Sequence, residues 1–211
     1  MPLPCSGPQL PDVPTVQCRS EIRSLSDCCR FVEIDAELLL YEAQPGKPYY
    51  WVILHADETP LTVCHLEAYA NHAERTGMWA GRRADYLAMG WYHGDCFLAI
   101  MELRDIVVNE RQGEDKLDQV EASIARIMGQ FQAQIANEPA FHRSCEQPDA
   151  YKIVGFVIAP AGIRRISRER QMRRIKQEDY SAIIMMVPPD RIRDCQIGWS
   201  ELLRAVIPPR S

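Results

Sequence analysis

The sequence has no apolar run approaching the roughly 18 residues that a membrane-crossing helix needs. Its longest such stretches, Cys96–Met101 and Ala182–Val187, are strand-sized, so no membrane partner is expected. The N-terminal MPLPCSGPQL offers no basic start followed by an apolar stretch. No secretory signal is read there, and the expected location is the cytoplasm. No internal repeat and no linker divides the chain, so one domain is expected. Cysteine is not scarce, but it lacks pattern. Cys5, Cys18, Cys28, Cys29, Cys64, Cys96, Cys145 and Cys195 contain no CxxC pair. A chain of this length does not resemble a small disulfide-stapled scaffold, so the eight cysteines read as scattered free thiols in a reducing compartment. His55, Cys64, His65 and His72 match no closed zinc spacing.

What is present is the composition of a globular protein, with 46% hydrophobic and 25% charged residues over 211 positions. The net charge of −5 argues against a protein that coats nucleic acid indiscriminately. Against that background, Arg164, Arg165, Arg168, Arg170, Arg173, Arg174 and Lys176 crowd one short segment, with only Glu169 opposing them. A local basic patch on an acidic chain is the expectation.

Residues 1–17 carry five prolines and little apolar periodicity, so a disordered or loosely attached arm is expected, followed by a single domain over 18–211. From Val32 to Leu40 apolar and acidic residues alternate, as in a half-buried strand, although a helix also suits its Glu and Leu content. Gln44-Pro45-Gly46-Lys47 is turn chemistry, and Tyr49–Ala56 completes an expected hairpin. A short helix is predicted over Leu66–Arg75, ending at Gly77. Strands are predicted at Asp85–Met89 and Phe97–Leu103, then a loop over 109–116. Leu117, Val120, Ile124, Ile127, Met128, Phe131 and Ile135 recur at three and four, the stripe of a long helix. Strands at Lys152–Ala159 and Ser181–Val187 and a helix at Trp199–Val206 complete the α/β pattern.

Asp85 opens one predicted strand, and Glu102 and Arg104 stand two apart at the end of the next, so both should leave the same face. Two carboxylates brought together this way suit Mg²⁺ or Mn²⁺, which take oxygen ligands. Such an ion polarises a phosphoryl oxygen and acidifies bound water. The bland alternative is that Asp85 is a turn residue while Glu102 and Arg104 form an exposed strand-end ion pair, worth about 0–1 kcal/mol.

The order Asp85 strand, Glu102-Leu103-Arg104 strand, amphipathic helix, strand resembles the PD-(D/E)xK, or restriction-endonuclease-like, nucleases over 85–159. That resemblance implies a mixed central sheet flanked by helices. It implies Asp85 and Glu102 as metal ligands and Gln119 as a residue that orients the site or contacts phosphate. It also implies nucleic acid, DNA first, as substrate. Arg104 stands where the family has lysine, and an arginine keeps its proton near neutrality. Arg104 could still stabilise charge on phosphate, or Lys116 could swing in from the helix start. Lys116, Gln119 and Ser123 share one helical face. The basic segment is read as a phosphate-contacting surface or as a solvated face. Two functions stay open: a metal-dependent nuclease, and a non-cutting member of the fold that binds nucleic acid or a protein. A homodimer or a larger nucleoprotein complex is compatible with either.

Overall fold

A computed structural model describes residues 5–104, 109–147, 150–160 and 166–207, with backbone only at 110, 168 and 169. In chain order the strands are β1 (Ser6–Gly7), β2 (Cys29–Val32), β3 (Glu37–Glu42), β4 (Tyr49–His55), β5 (Leu61–His65), β6 (Tyr86–Tyr92), β7 (Asp95–Leu103), β8 (Tyr151–Ile158), β9 (Met172–Lys176), β10 (Ser181–Val187) and β11 (Gln196–Gly198). The helices used below are α1 (Leu66–Arg75), α2 (Glu110–Arg126), α3 (Gln132–Asn137), α4 (Pro139–His142) and α5 (Trp199–Val206).

The fold is mixed α/β. Seven strands form one sheet in the order β2-β5-β6-β7-β8-β10-β9. Neighbours from β2 to β7 are antiparallel, β7–β8 and β8–β10 are parallel, and β9 returns antiparallel at the edge. Period-two alternation sends Leu87, Met89, Leu98 and Ile100 to one face, where they meet Tyr69 and Ala73 of α1 and Val120 and Ile124 of α2. Tyr86, Ala88, Phe97 and Ala99 leave the other face. There they pack on Leu38, Leu40, Val52 and Leu54 of a second sheet and on Trp199 and Leu203 of α5. The expected arrangement of helices flanking a central sheet therefore holds for one face. The other is covered largely by β3 and β4, with β1 and β11 also paired to β4.

Two boundaries differ from expectation for local reasons. The alternating run 32–40 is not one strand. Asp35 takes φ 61°, its N–H donates to the Ala56 carbonyl at 2.8 Å, and the chain leaves the large sheet at Val32 to enter the small one at Glu37. The polar stretch 109–116, expected as a loop, is mostly the first turns of α2. Asn109 accepts from the Gln112 N–H at 3.1 Å and donates its own N–H to Gln112 Oε1 at 3.2 Å, a capping box. Gly113 is not punctuation there: a Cβ would collide with the Met186 side chain, so glycine lets α2 lie close on β10.

All eight cysteines are paired, as Cys5–Cys195, Cys18–Cys28, Cys29–Cys64 and Cys96–Cys145. This overturns the free-thiol reading and removes the support it gave to a reducing compartment. The pairing escapes the sequence because partners lie 10 to 190 residues apart with no shared motif. Residues 5–17 are also not a loose arm. Cys5 is bonded to Cys195, β1 pairs with β4, and the Leu39 N–H donates to the Pro14 carbonyl at 2.8 Å. Among the described residues no helix is long and apolar enough to cross a membrane.

Candidate functional site

The β6–β7 register pairs Tyr86 with Met101, which sets Asp85 opposite Glu102 one step further along. Asp85 donates its N–H to the Met101 carbonyl at 3.1 Å, and its Oδ2 accepts from the Leu103 N–H at 2.6 Å. By alternation both carboxylates leave on the side of α1 and α2. They are 8% and 2% exposed, too buried for the strand-end surface pair considered above.

Helix α2 closes over Glu102. Lys116 Nζ donates to Glu102 Oε1 at 2.7 Å and to Gln119 Oε1 at 2.5 Å. Gln119 Nε2 donates to Glu102 Oε2 at 2.8 Å and also to the Arg83 carbonyl. Ser123 Oγ accepts from the Ala84 N–H at 2.7 Å and donates to the Gln119 carbonyl at 2.9 Å, tying the entry of β6 to the helix. The i, i+3, i+7 face is thus turned inward, and Lys116 occupies the neighbourhood of Glu102. Arg104 goes elsewhere. Its guanidinium stands 3.8 Å from Glu42 Oε1, at the end of β3.

Glu42 and Glu67 are neighbours that sequence reasoning missed. The Glu67 N–H, in the first turn of α1, donates to the Asp85 carbonyl at 3.1 Å. Glu42 Oε1 accepts from Gln44 Nε2 at 2.7 Å, while its buried Oε2 has no hydrogen-bond partner among the described residues. Glu42 belongs to the second sheet, so no local signal in the sequence links it to Asp85.

Burial, then the charge of Glu102, holds the Asp85 carboxyl well above its ordinary value, and Glu67 and Glu42 add to the rise. Burial pushes Glu102 up to about 7; Lys116 and Arg104 pull it down and Glu42 pushes it further up. An acid raised in this way favours the folded state while it is protonated. Its contribution is complete below the ordinary 4.5 and is lost as pH rises through about 7. In the absence of divalent ions, melting temperature should therefore fall between pH 5 and 8. Glu102→Gln should flatten part of that slope, leaving the part due to Asp85. A wild-type slope unchanged by the substitution would remove Glu102 as its source.

The basic segment is divided. Arg164 and Arg165 lie outside the described residues, as does the side chain of Arg168. Arg170 is exposed in a 3-10 turn at the end of the sheet where Glu102 lies. Arg173 is committed to Asp118 at 2.7 Å and Glu121 at 2.5 Å on α2. Arg174 and Lys176 are exposed on the edge strand β9, toward the opposite end of the sheet. Residues 172–176 are thus an edge strand, and they do not gather their cations beside the carboxylates.

Among the described residues no group of three or more His, Cys, Asp or Glu is placed to hold a metal ion. The donors at hand are oxygens. Glu102, Glu67 and Glu42 oppose ionisation of Asp85, and Glu42 opposes that of Glu102, which Lys116 and Arg104 favour. Such an all-oxygen donor set fits a divalent ion carried on one or two carboxylates with phosphate or water completing its shell. Compared with known proteins, the chain matches no family model, no curated protein and no solved structure.

Proposed function

We propose that this protein is a divalent-metal-dependent nuclease acting on DNA, built on a restriction-endonuclease-like sheet, with Asp85 and Glu102 as the ligands of Mg²⁺ or Mn²⁺. The observation that carries this reading is the pair of buried carboxylates opposed on β6 and β7, with Lys116 Nζ 2.7 Å from one of them. The antiparallel β6–β7 pair, the helix that follows and the parallel return of β8 support the same family likeness.

When bound, the ion would polarise a phosphoryl oxygen and acidify a water. The chain's own residues do the rest. Gln119, anchored on the Arg83 carbonyl, fixes the rotamer of Glu102. Lys116 presents an ammonium where charge grows on the scissile phosphate. It fills the role that Arg104, turned to Glu42, leaves open. Arg170, exposed at the same end of the sheet, is a further cation within reach of an extended phosphate backbone. The four disulfides favour an oxidising compartment as the place of action.

The test is cleavage of supercoiled plasmid and of single-stranded oligonucleotide with Mg²⁺ or Mn²⁺, with and without chelator. Asp85→Asn, which can still accept the Leu103 N–H, serves as the control. Metal-dependent cleavage that disappears in this variant while its cooperative thermal transition is retained supports the reading. A folded wild type that cuts nothing under any metal defeats it. One observation favours a second reading, a nucleic-acid-binding protein without cleavage: Lys116 and Gln119 already occupy both oxygens of Glu102. Under it DNA binds equally well with and without divalent ions, and calorimetry finds no Mn²⁺ uptake that depends on Asp85.

A further inference from the structure

At the end of the large sheet remote from the carboxylates lies an open cleft of about 750 Å³, within the size range of small-molecule sites. Phe97 at its floor precedes Glu102 by five strand residues, roughly 16 Å along β7. On the side of the second sheet its apolar lining is Phe97, Val154, Ile183 and Ile207; on the side of α2 it is mixed, with Met128 and Ile153 beside Gln132, Tyr151 and Tyr180. The mouth is cationic. On β9 Arg174 and Lys176 flank buried Ile175, so they leave the same face, and both line the cleft. Among the described residues neither carries an ion pair, whereas Lys152, also at the mouth, is committed to Asp95 at 2.6 Å. A single carboxylate, Asp179, lines the opening.

We propose that this cleft binds an organic anion with an extended apolar body, a long-chain carboxylate, with its head on Arg174 and Lys176 and its chain along half-buried Ile183 and Ile207 on the same face of the sheet. The apolar side chains on that face select the body, and two uncommitted cations against one acid select a single negative charge. A guanidinium presents paired donors to a carboxylate. This gives a place to the two basic residues that the sheet carries away from the proposed nuclease site, and it does not depend on that site.

The experiment is fluorescence titration of the full chain with cis-parinaric acid, with its methyl ester as the uncharged control. Saturable binding of the acid is expected. In an Arg174→Ala/Lys176→Ala variant the acid should bind roughly tenfold more weakly or worse, through loss of its charge-assisted bonds, while the ester is unaffected. Ile183→Trp, which crowds the cleft at a half-buried position, should abolish both, and Asp85→Asn should change neither. Equal binding of acid and ester in the wild type would overturn the proposal. So would an acid affinity indifferent to Arg174 and Lys176, the absence of saturable binding, or binding that appears only after residues 208–211 are removed. The last result would make the chain's own tail the occupant.

Discussion

Replacing Lys116 by methionine is expected to cost about 3–5 kcal/mol of stability at pH 8 and to abolish the proposed nuclease activity. The reason lies in what is left behind. Glu102 is 2% exposed, and Lys116 supplies both its hydrogen bond at 2.7 Å and its nearest positive charge. Methionine fills the space of the lysine stem but leaves a buried carboxylate with only the Gln119 amide. The carboxylate can escape that state by taking up a proton. With Lys116 present its value already stands at about 7, and removing the cation that opposes the rise moves it higher. The destabilisation should therefore shrink at pH 5, where Glu102 is protonated with or without its partner. Combining Lys116→Met with Glu102→Gln should recover most of the stability at pH 8, since both partners are then neutral and the coupling is broken from both sides. Urea unfolding of the wild type, the two single variants and the double variant at both pH values measures this. A loss under 1 kcal/mol at pH 8, or one that does not depend on pH, would mean that the ion pair does not hold the helix to the strand.

How far the sequence foretells this arrangement depends on whether the deciding interaction is local. The apolar run Phe97–Leu103 after its polar turn and the three-four stripe from Leu117 to Ile135 are dictated by the next few residues, so β7 and the body of α2 were legible. Their polar ends were legible too, and with them Asp85, Glu102 and Gln119 at one end of one sheet. The start of α2 was legible in principle, because Asn109 and Gln112 have the spacing of a capping box. Gly113 obscured it, since a glycine needed for close approach to β10 looks the same in sequence as a glycine that ends a helix. Glu42 was beyond reach: it meets the site only because β3 and β4 lie across the face of the large sheet. The basic segment misled in a different way. Charge density along the chain says nothing about faces, and on β9 consecutive Arg173 and Arg174 point apart, one to Asp118 and Glu121 and the other to solvent. The cysteines carried a composition signal without positions, and only the fold pairs them.

The chain should lose its native state when its disulfides are reduced. Chain-entropy estimates give about 3 kcal/mol for a loop as short as that of Cys18–Cys28 and about 5 kcal/mol for one as long as that of Cys5–Cys195, separated by 10 and 190 residues. These contributions overlap, because the long loop contains the others and constraints on one unfolded ensemble do not add. The long loop alone, at about 5 kcal/mol, matches the lower end of the whole stability of a domain, about 5–15 kcal/mol. The bonds also sit where the fold has little else. Cys5 is joined to Cys195 beside a two-residue strand, and Cys29–Cys64 clasps β2 to β5 at the sheet's edge. Thiol titration of the unreduced protein in denaturant should find no free thiol, and after reduction all eight. Reduction under native conditions should abolish the thermal transition at 37 °C and above. The Cys5→Ser/Cys195→Ser variant should keep the seven-stranded core, with amide exchange accelerated first in β1 and β11. Eight titratable thiols in the unreduced protein, with a melting curve indifferent to reductant, would return the cysteines to free thiols and remove the argument for an oxidising compartment. Loss of the transition on reduction would instead make the compartment a condition of folding, because the stability that holds Asp85 against Glu102 would then exist only where these bonds persist.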